Sequence, residues 1–91
     1  MGFEWDSNKN SSNKEKHGID FDHAKNIFED DKRIKFRDNR KDYGEERWIT
    51  IGIVLDAILT VVYTLRNTVI RIISARPSNK DERDIYNNPN R

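Results

Sequence analysis

Between Arg47 and Pro77 the chain is dominated by β-branched, aliphatic and aromatic residues, and only two short polar breaks interrupt it. This stretch decides what the rest can be. Trp48–Leu55 and Ala57–Leu65 are apolar runs separated by Asp56. Each falls short of the ~20 residues that a membrane helix needs. Thr50, Thr60 and Thr64 alternate with aliphatics, which is the pattern of strands. The stretch therefore divides into strands at Arg47–Val54, Ile58–Leu65 and Val69–Ala75. Turns fall at Asp56–Ala57 and Arg66–Asn67–Thr68, and Pro77 ends the last strand. Connections this short join neighbours that run antiparallel.

The flanking segments supply the remaining elements. Phe3–Glu4–Trp5–Asp6 alternates as a short edge strand does. Asp6 or Ser7 caps a very polar stretch through about Lys16, either a helix or a solvated loop, and Gly18 is a left-handed stop after it. Asp20 caps a second helix, in which Phe21, Ala24, Ile27 and Phe28 form one apolar stripe reaching Asp30. Ile34–Arg37 alternates as a half-exposed strand, and Asp42–Tyr43–Gly44 is turn chemistry. Ser78, with Asp81 three residues on, opens a last helix whose apolar contacts are little more than Ile85 and Tyr86. Asn87–Arg91 is expected to fray. The expectation is one α+β domain over residues 1–91: an antiparallel sheet of four to five strands, two N-terminal helices and a C-terminal helix. The chain has no cysteine, which excludes disulfides, thiolate metal sites and a Cys nucleophile. No apolar signal region opens it, and a cytoplasmic location is expected.

Six pieces carry a family resemblance: FEWD at 3–6, NKEKHGIDFDHA at 13–24, IFED at 27–30, YGEERWITIG at 43–52, LTVVYTLRN at 59–67 and IRIISARPSNKDERDIY at 70–86. In this order and spacing the chain resembles the BrnT family, and the pieces cover most of it apart from the ends and the 31–42 segment. The resemblance implies a RelE-like fold and the activity of a type II toxin: an endoribonuclease that cleaves RNA and inhibits translation. It implies as partner a BrnA-like antitoxin with a ribbon-helix-helix DNA-binding part, through which alone the operator DNA would be met. No membrane partner and no cofactor are expected.

Metal-independent RNA cleavage needs a base for the 2′-OH, cations for the charge on the phosphorus centre and an acid for the leaving 5′-oxygen. Arginine suits the second task, because its planar fork stays charged and binds phosphate through two bonds. Arg66, Arg71 and Arg76 are the candidates, against a bland reading of each as a surface ion pair. Strand alternation sends Arg71 and Arg76 to opposite faces, unless a bulge or the strand end re-aims one. His17, as general acid, general base or phosphate contact, and Glu45, as a base, are the titratable candidates. An imidazole titrates near about pH 6.5, while the bland reading of His17 is a helix-end contact to terminal carbonyls. Adjacent Glu45 and Glu46 face opposite ways, so at most one points inward.

Lys14, Lys16, Arg37, Arg40 and Arg47 are candidate contacts to the RNA backbone, and Tyr63 a surface on which a base could stack. The competing readings are a solvated strand edge for the basic run and a core position for Tyr63. No metal site is expected. A second function remains open beside the ribonuclease: a non-catalytic binding module, or an inactive toxin, that serves as co-repressor with a DNA-binding partner.

Overall fold

The computed structural model describes residues 2–88, so part of the 87–91 stretch expected to fray lies outside the described residues. The elements are β1 (Gly2–Glu4), α1 (Ser7–His17), α2 (Phe21–Ala24) continuing as a 3-10 helix (Lys25–Glu29), β2 (Ile34–Arg37), β3 (Trp48–Val54), β4 (Ala57–Arg66), β5 (Val69–Pro77) and α3 (Lys80–Asn87). The strands form one five-stranded sheet in the order β1-β5-β4-β3-β2. β2 to β5 are antiparallel neighbours, as the short connections require. β1 departs from the expected antiparallel sheet: it runs parallel to β5, pairing Phe3 with Ile70, so the sheet is mixed. The whole of α1 intervenes later, so nothing in a hairpin turn dictates the direction of β1.

One face of the sheet holds the core. Val61, Tyr63, Ile70, Ile72 and Ala75 point there and meet Phe21, Ala24 and Ile27 from the helical segment. Phe28 meets the Tyr63 ring edge-on at 4.9 Å. The apolar stripe of 21–28 was expected to lie on one helix. It is a single α-turn that tightens into a 3-10 turn, while keeping the stripe on the core side.

Where β1 and β2 run out, side chains take up backbone groups of β5 and β3. β1 covers β5 only from Val69 to Arg71, which leaves Ala75 free at the edge. There Asn13 of α1 takes the place of a missing strand. Its Oδ1 accepts from the Ala75 N–H at 3.1 Å and its Nδ2 donates to the Ala75 carbonyl at 2.7 Å and to the Ile19 carbonyl at 3.0 Å. At the other edge β2 stops opposite Ile51, and Asp30 Oδ2 accepts from the Ile53 N–H at 2.9 Å. Close approach is needed here. A Cβ on Gly52 would meet Ile27 Cγ1 at 2.8 Å and Arg33 Cβ at 3.0 Å.

α3 lies across the second face at its β3 end, where it closes over the fully buried Ile51. Its cap differs from the expected Ser78–Asp81 pair. Asn79 is the N-cap and Glu82 the acid of a two-way capping box. Ser78 instead bonds the Thr60 hydroxyl at 2.7 Å inside the fold. Tyr86 donates its phenol to Asp30 Oδ2 at 2.6 Å, which ties the helix to the sheet edge.

Two substitutions test this account. Asn13→Ala strips the partners from a buried N–H and carbonyl, and is expected to cost about 2–4 kcal/mol in urea unfolding. Gly52→Ala forces the 3-10 segment away from β3, and is expected to cost about 1–3 kcal/mol by the same measurement.

Candidate nucleic-acid interface

β5 carries an irregularity that decides where the arginines point. Val62 pairs with Ser74, but the next residue, Tyr63, pairs with Ile72, so Ile73 is an extra residue bulged out of the ladder. A bulge of this kind reverses the alternation beyond it. Ile70 and Ile72 before it and Ala75 after it all reach the core. Arg71, opposite Thr64, and Arg76, opposite Thr60, consequently share the second face. Simple alternation, which separates the two, is corrected by that one residue. Arg66 ends the Thr60, Val62, Thr64 row and lies on the same face.

All three guanidinium groups meet carboxylates. Arg66 reaches Glu45 at 3.3 Å and Arg71 reaches Glu4 at 2.6 Å. Arg76 holds Glu82 through both nitrogens, at 2.6 and 2.7 Å. Burial pushes the Glu82 carboxyl up, but bonds from Arg76 and the Asn79 N–H outweigh it, and the group titrates below the ordinary range. Between these pairs Thr60, Val62 and Thr64 are buried, so the arginines and their carboxylates form the outer layer of this face.

α1 borders that face through a groove of about 340 Å³ between the helix and the bulge, lined by Lys9, Ser12, Lys16, His17, Ile73 and Ser74. Ser74 stands two residues from Arg76, so Lys16 and His17 flank the arginine-bearing strand. Lys14 turns back to Asp20 at 3.7 Å instead. The polar stretch expected as helix or loop is a helix because its asparagines work. Asp6 caps it, Asn13 anchors it, and Asn10 Oδ1 accepts from the Phe21 N–H at 2.9 Å. An Asn-x-x-Asn spacing in a helix without apolar residues was the available signal for that anchor.

The 38–47 loop closes the end of the face. Glu45 goes to Arg66 and Glu46 to Arg37 at 3.3 Å, so the two adjacent acids do face opposite ways. Arg40 is bound to its own loop, with Nε and Nη2 donating to Asp38 at 2.8 and 2.7 Å. Arg47 was expected to open a strand, but β3 starts one residue later. Its guanidinium lies 4.0 Å over the Tyr43 ring. Tyr63 is 4% exposed on the core face, with its ring against Phe28, and so has no surface free for a base. Among the described residues no group of three or more His, Asp or Glu side chains is arranged to hold a metal, and no helix is long and apolar enough to cross a membrane.

A small α+β domain with the core on one sheet face and a row of arginines on the other is the class the architecture defines. Residues 5–82 match the model of the family described as ribonuclease toxin, BrnT, of type II toxin-antitoxin system. The chain belongs to that family, which carries with it an RNA target and an antitoxin partner. Comparison with curated proteins gave no match.

The loop also generates a pH prediction. The Asp38 side chain is fully buried. The Arg40 guanidinium, together with the Arg40 N–H and the Tyr43 hydroxyl, holds its carboxyl down at about 2 against an ordinary 3.8. A carboxyl depressed by folding contributes its full stabilisation above its unfolded pKa and loses it as pH falls through the folded one. Acid unfolding of the native chain should therefore steepen between about pH 4 and pH 2. Asp38→Asn should flatten that limb in thermal melts and leave the neutral-pH slope with pH unchanged.

Proposed function

We propose that the chain is a metal-independent endoribonuclease that cuts RNA by attack of the 2′-OH on its own phosphodiester, inhibits translation in the cytoplasm, and is silenced by a BrnA-like antitoxin. The observation that carries this is the bulge at Ile73, which turns Arg71 and Arg76 to the face where Arg66 already lies. In this reading the three guanidinium groups stabilise the charge on the pentavalent phosphorus, which is the largest single term in such reactions. Glu45, beside Arg66, takes the 2′-OH proton, and His17, at the rim, returns a proton to the 5′-oxygen. The proton count closes, since one group gains what the other gives up and the product is a cyclic phosphate with a free 5′-OH. Lys16, Arg37, Arg40 and Arg47 extend the cationic surface for the strand, and Lys14 adds charge near the α1 end.

The antitoxin is proposed to lie over the arginine-bearing face and to carry a ribbon-helix-helix part. Operator DNA is then bound through the antitoxin alone.

One observation favours a second reading. Each of the three arginines is met by a carboxylate, as structural ion pairs are. In that reading the chain is a binding module or an inactive toxin that acts as co-repressor.

Arg71→Ala separates the two. In the ribonuclease reading it lowers kcat for a synthetic RNA about 100-fold or more, abolishes growth arrest on induced expression and leaves antitoxin binding intact. Cleavage by the native protein should survive EDTA. A purified chain that leaves RNA whole, in cells that grow normally, would establish the module.

A further inference from the structure

Arg47 differs from every other arginine of the described residues. Arg33, Arg37, Arg40, Arg66, Arg71, Arg76 and Arg83 each make a hydrogen bond or an ion pair. The Arg47 guanidinium makes neither, and its Nε is the one buried side-chain nitrogen or oxygen among the described residues without a partner. The group is nonetheless held in place. The guanidinium carbon sits over the Tyr43 ring, 4.0 Å from its centroid, and the Arg47 carbonyl accepts from the Asp38 N–H at 2.8 Å. An arginine fork fixed by stacking, with a donor shielded from water and unused, is prepared for an anion with oxygens to accept from it.

Its surroundings leave it the charge to do so. The cavity around it, about 320 Å³, is lined by Arg37, Lys41, Tyr43 and four acids. Three of those acids are neutralised in place, Asp38 by Arg40, Glu45 by Arg66 and Glu46 by Arg37. Asp42 is turned to the Gly44 N–H at 2.9 Å. Lys41, 5.2 Å from the Tyr43 ring, is a second cation without a carboxylate. Arg47 and Lys41 against Asp42 leave the pocket net positive.

Position connects the pocket to the arginine row. Trp48 pairs with Tyr63, so one further step of the antiparallel register brings Arg47 beside Thr64. Thr64 indeed reaches the adjoining Glu46 carbonyl with its hydroxyl at 2.6 Å, and on its other side pairs with Arg71. Arg47, just ahead of β3, thus lies in line with Thr64 of β4 and Arg71 of β5. Their outer Cα atoms stand about 10 Å apart at ordinary strand spacing, which lets two long side chains hold successive phosphates of one strand.

We infer that the Arg47–Tyr43 pocket is a phosphate subsite of the RNA interface, holding the phosphodiester that neighbours the one at Arg71. This rests on the ribonuclease reading for the identity of the polymer, and on the pocket alone for the anion.

The probe is a short single-stranded 2′-O-methyl oligonucleotide, which binds but cannot be cut, titrated against the full-length chain at several salt concentrations. Arg47→Ala is expected to weaken binding about tenfold and to lower the salt slope by about 0.7, the share of one phosphate on a single strand. Arg47→Lys should restore the slope but not the affinity, since the ammonium keeps the charge and lacks the fork. Lys25→Ala, remote and paired with Asp22, should match the native chain. The Arg47 Nε–H resonance should shift on saturation, and circular dichroism melts should show every variant folded. An unchanged slope in folded Arg47→Ala, or no binding by the native chain, overturns the subsite. Inorganic phosphate that saturates the pocket as tightly as the oligonucleotide also overturns it, in favour of a free-anion site. Cleavage of ordinary RNA is scored separately. Oligonucleotide binding through Arg47 without any cleavage would sink the ribonuclease reading and leave the subsite standing.

Discussion

One extra residue in β5 reconciles two demands that a regular strand cannot meet together. The core needs Ile70, Ile72 and Ala75 on the helical side, and these positions do not share a parity. Regular alternation would send Ala75 outward and Arg76 into the apolar interior, where a charge without a partner costs several kcal/mol. With Ile73 bulged, the small Ala75 returns to the core beneath α1 and both Arg71 and Arg76 leave it. The same insertion therefore protects the core and builds the charged face. Neither result is separable from the other, because both follow from a single change of phase.

The second dependence is on polar anchoring. α1 has almost nothing apolar to bury, yet it lies where it must to put Lys16 and His17 beside β5. Asn13 accounts for this by pairing with both backbone groups of Ala75, two residues past the bulged Ile73. A hydrophobic stripe would have drawn the helix over the core face and away from the edge. An amide that imitates a strand holds it at the edge, and the groove between helix and bulge results. Asp30 does the corresponding work at the far edge, where it also receives the Tyr86 phenol and so fixes α3. Burial, and then the bond to Asp30, push that phenol up to about 12, so it stays a donor throughout the neutral range.

What the residues disclose by themselves follows their physics. β3, β4 and β5 were legible to within about two residues because β-branched alternation is a local property. The direction of β1 was not, since a parallel pair is set by tertiary placement and leaves no mark on three residues. The bulge was equally hidden: Ile72–Ile73 reads as an ordinary strand, and only the burial of Ala75 shows that the phase has slipped. Hence the three arginines could be named from residue chemistry while their common face could not. Tyr63 went the other way. Its row with Val61 was readable, but which face of that row would be covered by helices was decided by Phe21, Ile27 and Phe28. Arg47 was legible as a cation and not as the arginine without a hydrogen-bonded or ion-pair partner among the described residues, because its isolation depends on where the neighbouring acids found partners.

Those acids also rank the arginines by how readily each can turn to a phosphate. Exposed single-bonded pairs contribute only about 0–1 kcal/mol, so an incoming dianion-like centre exchanges with them at little cost. Arg66, half exposed and 3.3 Å from Glu45, is the most easily released. Releasing it also frees the Glu45 carboxylate. Arg71 is less exposed and closer to its acid, but Glu4 lies on the edge strand and remains partly in water. Arg76 is the least free. Glu82 holds it with two oxygens while also accepting from the Asn79 N–H, so detaching the arginine would loosen the capping box of α3. The ordering leaves Arg66, at the β4–β5 turn end beside the 38–47 loop, the arginine most free to meet an anion, and Arg76, at the far end of β5, the one most committed to holding α3.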